Sequence, residues 1–192
     1  MQNIEPHYAW RNYYTAENDE RSPFFGREYS EFEFSNKIYN FYIHPQWDEF
    51  GAQTLYAKIL FVDYDEGCAI IELIGEWNDT INNDAMYLKR EIIDPLTAEG
   101  IAKWIVIGEN VLNFHGGDDD YYQEWYEEAA DEGGWICFFN FQDHVCEELS
   151  TYHLYNYLCY DEPLNAVNWR KHKPQHIVAL TEALLLQQGR IR

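Results

Sequence analysis

The chain has 192 residues, 46% of them apolar and 18% aromatic, which suits one compact domain with added segments and is cramped for two. Thirty-four acidic residues face 13 basic ones, a formal charge of -21, so phosphate backbones and anionic membrane surfaces repel it, and neither nucleic acid nor membrane is an expected partner. No apolar stretch approaches the ~18 to 20 residues of a membrane-spanning helix, and residues 1–20 lack the basic start and apolar core of a leader, which points to a cytoplasmic protein.

In residues 1–37 the sole Val, Ile or Leu is Ile4, while Tyr8, Trp10, Tyr13, Tyr14, Phe24 and Phe25 supply rings. Such a segment cannot build its own aliphatic core, and it reads as an aromatic, acidic arm laid on the main body. Within it, Phe32 and Phe34 alternate with Glu31 and Glu33, the pattern of an edge strand over residues 29–34. The polar residues 17–22 read as locally disordered.

A single α/β domain is expected over residues 38–160. Residues 38–43 form a strand that His44 and Pro45 end. The β-rich runs 55–62 and 68–74 make a hairpin, with Gly67 supplying a positive φ. Ile81, Ala85, Leu88 and Ile92 then recur at helical steps, with Asn78, Asp79 or Thr80 as cap. Pro95 bends or ends this helix, and Gly100 closes the segment.

Residues 103–108 are almost continuously apolar, as expected of a strand covered on both faces. After a loop over residues 109–120 comes a helix with Tyr122, Trp125, Tyr126 and Ala129 on one face. Asp118, Asp119 and Asp120 stand at its positive dipole end, and Gly133-Gly134 stops it. Residues 135–139 are a second covered strand, and Asp143 caps a third helix bearing Val145, Cys146 and Leu149. The order hairpin, helix, strand, helix, strand, helix implies a mixed, partly parallel sheet.

Residues 161–192 form a basic helical extension. From residue 170 on, Arg170, Lys171, Lys173, Arg190 and Arg192 face the single acid Glu182. Pro174 opens a helix carrying Ile177, Leu180, Leu184 and Leu185. This helix docks on its own domain or on a second copy, so a homo-oligomer stays open.

No motif identifies a reaction, and no cofactor is implied. Cys68, Cys137, Cys146 and Cys159 stand at wide spacings without a C-x-x-C pair and read as buried free thiols of a reducing compartment. The most loaded segment is residues 108–120, just past a central strand, where α/β proteins place their sites. There His115, Asp118 and Asp119, with His144 from the next strand-to-helix junction, have the chemistry to ligate a divalent ion. The plainer reading is that acids at a helix start engage free amides, since no fixed ligand spacing is present. Gly116-Gly117 lacks the spacing and lysine of a phosphate loop. His172 and His176 are four apart, but Pro174 lies between them, so they read as surface residues. The acid pairs Glu127-Glu128 and Glu147-Glu148 are solvated helix faces, although the overall charge leaves room for a protein that imitates DNA.

Glu72-Leu73-Ile74-Gly75-Glu76 looks like a strand ending in glycine before a helix. Trp104-Ile105-Val106-Ile107-Gly108 is followed by Asn110-Val111-Leu112-Asn113-Phe114 and then His115-Gly116-Gly117-Asp118. In this order, over about residues 55–158, the chain resembles the STAS domain, the module named for sulfate transporters and anti-sigma-factor antagonists. The resemblance implies a STAS-like fold, partner binding through the loop and the helix after it, and no catalytic residues. The hydroxyl phosphorylated in antagonist members would fall at Gly116-Gly117, so a phosphorylation switch is not expected there.

The expected function is thus a non-catalytic interaction or regulatory module with a protein partner. Its docking face comprises Glu109, Asn110, Asn113, His115, Asp118, Asp119 and Asp120, with Trp77, Tyr121, Tyr122 and Trp125 supplying contact area. The alternative is a metal-assisted hydrolase or small-ligand binder built on His115, Asp118, Asp119 and His144.

Overall fold

A computed structural model describes residues 4–34, 37–38 and 41–191 of the chain. A small sheet pairs β1 (Lys37–Ile38) antiparallel with β2 (Phe41–Tyr42). Tyr39 and Asn40 of the expected strand 38–43, and Arg192 of the tail, lie outside the described residues. The main sheet holds β3 (Leu55–Asp63), β4 (Cys68–Asn78), β5 (Lys103–His115) and β6 (Trp135–Phe139), in that spatial order. β3 and β4 form the antiparallel hairpin, turned at Gly67 with φ +64°, and β4, β5 and β6 run parallel. The expected α/β fold with a mixed sheet is therefore the observed one.

Four short helical pieces link β4 to β5: α1 (Asp79–Asn82), α2 (Asp84–Leu88), a π turn (Lys89–Ile93) and α3 (Asp94–Ala98). α4 (Asp120–Asp131) links β5 to β6. After β6 come α5 (Asp143–Thr151), α6 (Glu162–Asn165) and α7 (Pro174–Gln187). On one sheet face Ile71, Leu73, Trp104, Val106 and Phe138 meet Leu88, Ile92, Trp125, Val145 and Leu149. On the other, Ile70, Ile105, Ile107 and Phe139 meet Leu164, Trp169, Ile177 and Leu185, with Trp10 of the arm. Covering both faces makes successive residues of each central strand apolar, because each buries on one side or the other. Each fully buried side chain of this size contributes about 1.5 to 3 kcal/mol.

The arm is fastened by several side-chain and main-chain hydrogen bonds. Trp10 Nε1 donates to the His172 carbonyl at 3.0 Å, and the His7 amide donates to Glu72 Oε2 at 2.9 Å. The buried Asp48 carboxylate accepts from Tyr29 OH at 2.7 Å, Arg27 Nη1 at 3.0 Å and Lys58 Nζ at 3.3 Å. The expected edge strand at residues 29–34 does not form. Ser30 Oγ instead accepts the Phe32 and Glu33 amides, making a local turn, and Phe32 is 86% exposed. Nor are residues 17–22 disordered: Ala16–Asn18 is a 3-10 turn, and Ala16 and Ser22 are buried.

Three expectations change in the middle of the chain. The helical stripe from Ile81 to Ile92 is broken at Asn83, whose φ of 56° is left-handed, so Ile81 points outward while Ala85, Leu88 and Ile92 stay buried. Pro95 does not end the helix. It stands in the first turn of α3, where its missing N–H is not needed, because the π turn before it shifts the bonding register. The expected loop 109–120 is mostly strand, since β4 runs on to Asn78 and pairs β5 out to His115. Only residues 116–119 remain as a loop.

Candidate functional site

The end of β4, the end of β5 and the start of α4 converge around Asp79. Asn78 caps α1, its side-chain carbonyl accepting the Ile81 amide at 2.9 Å. Asp79 then turns inward and accepts three hydrogens: Trp77 Nε1 at 3.0 Å, the Ala85 amide at 2.7 Å and Tyr122 OH at 2.5 Å. Burial pushes the Asp79 carboxyl above its usual range, against these three donors, which favour the charged form. Tyr122 is fully buried, and burial with the adjacent Asp79 raises its hydroxyl well above 10. Asp84 accepts the Asn78 amide at 2.8 Å, and burial lifts it to about 6.

The 116–119 loop packs against this frame through missing side chains. A Cβ on Gly116 would meet the Tyr152 ring at 2.4 Å, and one on Gly117 would meet Asp79 at 3.3 Å. Thr80 Oγ1 donates to the Gly116 carbonyl. The two glycines thus let α1 and Tyr152 approach the loop. Asp119 is the N-cap residue of α4, but its carboxylate does not bond a helix amide; it accepts Tyr157 OH at 2.8 Å. Where β5 outruns β6, side chains from the start of α5 take the place of a strand. His144 Nε2 meets the Leu112 carbonyl at 2.8 Å, and Gln142 reaches the Glu109 and Val111 carbonyls at 3.4 Å.

The residues expected to form one docking face are divided by the sheet. Trp77, Tyr122 and Trp125 are buried in the core, with Trp77 near Phe114 and Phe138 and Trp125 edge-on to Trp104. They cannot supply contact area. Glu109 pairs with Arg170 on the opposite side of the sheet, beside Glu72. Asn110 lines a small apolar recess of about 100 Å³ with Ile4, Ile38, Ile43, Ile74 and Leu112, and Asn113 donates to Glu76 Oε1 at 3.1 Å. His115, Asp118 and Asp120 are exposed at the loop, with Asp119 and Tyr121 half-buried beside them.

The residues of the metal alternative are not brought together as a group of three. Among the described residues, the group that brings three ligand-type atoms within 4.8 Å of one another is Asp94, Glu124 and Glu128, and it does not include His115, Asp118, Asp119 or His144. That acid group already holds the Lys89 ammonium, with Glu128 at 2.8 Å, and Arg90 forks onto Glu124. His172 and His176 do come together, their rings stacked 4.8 Å apart, though no third ligand joins them.

Sequence reasoning missed Ile81. It is 81% exposed, carried on the capped turn whose Asp79 and Thr80 contact Gly117 and Gly116. Asn82-Asn83 inside the supposed stripe was the available signal, since asparagine tolerates the left-handed conformation that splits a helix.

No family model matches the chain, and no curated protein matches it in sequence. In structure it is similar to a Thermotoga maritima protein provisionally assigned as an anti-sigma factor antagonist. The crystal structure of that protein is matched with 16% identity and a TM-score of 0.37, over 55% of this chain and 84% of the other. Its NMR structure is matched with 16% identity and a TM-score of 0.36, over 72% of this chain and 98% of the other. No helix among the described residues is long and apolar enough to cross a membrane.

Proposed function

We propose that the chain is a non-catalytic binding module that docks a protein partner on the surface formed by α1, the 116–119 loop and the start of α4. One observation carries this reading: an aliphatic side chain, Ile81, stands 81% exposed on a capped turn whose Asp79 and Thr80 contact Gly117 and Gly116, the residues that lead into the exposed Asp118 and Asp120. An apolar anchor with a charged rim is the anatomy of a protein interface. The turn beneath it is held by the buried Asp79 bonds, so the anchor is ordered before a partner arrives and little freedom is lost on docking. The matching surface is a small apolar recess ringed by Lys or Arg.

The test uses the wild-type chain, Ile81→Glu and the double variant Asp118→Lys/Asp120→Lys as baits with identical preparation. A protein with such a basic-rimmed recess, retained by the wild type and lost from both variants at unchanged melting temperature, is the expected result. Equal retention by all three baits overturns the reading.

A further inference from the structure

The tail of the chain brings two cysteines together at the edge of the sheet. Past α5 the backbone returns beside β6 and pairs with it at one point, Cys159 opposite Cys137, in parallel. Cys159 donates its amide to the Ile136 carbonyl at 2.9 Å and accepts the Phe138 amide at 2.8 Å. Directly opposed residues on neighbouring strands stand ~4.8 Å apart, inside the Cα separation of ~4.4 to 6.8 Å that a disulfide spans without backbone movement. Both side chains lie in the core layer beneath α7, with Cys137 buried and Cys159 half-buried.

The surroundings distinguish the two thiols. Cys159 lines an open groove of about 740 Å³ together with Trp135, Tyr157, Leu186, Arg190 and Ile191. The Arg190 guanidinium lies beside its sulfur and is held by Asp161 Oδ2 at 3.2 Å. The Cys137 thiol bonds to Cys159 and, with Arg190, holds the Cys159 thiol below its ordinary pKa, whereas burial pushes Cys137 well above. A thiolate beside a cation and open to solvent is the reactive kind, and a buried neutral thiol within reach is its natural resolving partner.

We propose that Cys159 and Cys137 form a peroxide-reactive dithiol site, with Cys159 the attacking sulfur and Cys137 the resolving one. The Cys159 thiolate attacks one oxygen of hydrogen peroxide, and the other leaves as hydroxide and takes a proton to become water. Cys159 is then a sulfenic acid. The Cys137 sulfur attacks it as its own proton departs, the S–S bond forms, and the sulfenic hydroxyl leaves with that proton as a second water. Two thiols lose two electrons in all, and the two peroxide oxygens gain them. The site is on a different edge from the docking surface, and the proposal does not depend on that reading.

The reduced full-length chain is freed of reductant, exposed to hydrogen peroxide and assayed under denaturing conditions. Free thiols are expected to fall from four to two, with an intact mass roughly 2 Da lower and a single peptide link between Cys137 and Cys159. Cys137→Ser is expected to stop at a sulfenic acid on residue 159 that dimedone traps, and Cys159→Ser to keep its thiols. A Cys68→Ser/Cys146→Ser variant, with only the pair left, is expected to behave as the wild type. Persistence of four thiols, oxidation confined to Cys68 or Cys146, or links only between chains overturns the proposal.

Discussion

The main-chain amide of His7 donates to Glu72 Oε2 at 2.9 Å, joining the arm to the sheet across 65 residues of sequence. Glu72 has no exposed surface, and Arg170, which approaches it at 3.5 Å, is chiefly engaged by Glu109. Burial pushes the Glu72 carboxyl from 4.5 up to about 7, against the His7 amide and Arg170. Between about pH 4.5 and 7 the folded chain keeps a proton that the unfolded chain has released, so this group's contribution is full below that window and falls as pH rises through it.

Glu72→Gln is therefore expected to flatten the pH dependence of stability. At pH 7.5 the variant exceeds the wild type by up to about 3 kcal/mol, and near pH 4.5 the two are equal. Asp84, lifted to about 6 with the same sign, leaves a smaller residual slope. Urea denaturation at several pH values measures this, and parallel curves for the two proteins refute it.

Removing the Asp79 carboxylate leaves Trp77 Nε1, Tyr122 OH and the Ala85 amide without an acceptor in the core. Each orphaned donor costs about 1 to 3 kcal/mol, so Asp79→Ala is expected to lose about 3 kcal/mol or more. Tyr122→Phe, which deletes one donor along with its need, is expected to lose about 1 kcal/mol. Equal losses in guanidinium denaturation contradict this ordering.

Gly108 and Gly116 both lie close under an aromatic ring, yet their alanine variants are expected to differ. A Cβ on Gly108 meets the Phe141 ring at 2.2 Å, and that ring is buried and stacked on Phe138 with centroids 4.7 Å apart. Overpacking there costs about 1 to 3 kcal/mol. Tyr152 over Gly116 is 38% exposed and meets Phe114 only edge-on, at 6.2 Å between centroids, so its ring yields more readily and Gly116→Ala is expected to cost less than Gly108→Ala. Denaturation midpoints of the two variants decide it.

Chelator, magnesium and zinc are each expected to leave the melting temperature unchanged, since a ligand of the folded state alone must raise it. The expectation follows from two placements: His115, Asp118, Asp119 and His144 do not converge, and the acids that do converge already hold Lys89. A rise of several degrees with either ion contradicts it.

The sheet was legible because its central strands are buried on both sides, and 103–108 and 135–139 accordingly read as unbroken apolar runs. Pro174 likewise marked the first residue of α7. The extension of β5 was hidden because register irregularities against β4 interrupt its alternation, and because Asn113 bonds Glu76 while His115 is exposed at its end. Ile81 was misplaced because apolar period carries no information about a left-handed break. Asp79 resembled any acid at a helix start, and its three donors become neighbours only when β4, α2 and α4 meet.

The core layer built on Ile70, Ile105, Ile107 and Phe139 takes its cover from Trp10 on one side and from Leu164, Trp169, Ile177 and Leu185 on the other. Synthesis delivers the second part of that cover only after the strands it roofs. While residues beyond 140 are still leaving the ribosome, three parallel strands present a greasy, unroofed surface, the state in which nascent chains clump. Closure of this half of the core accordingly waits for residues 164–185, and a holding chaperone has its greatest purchase on the chain before they emerge.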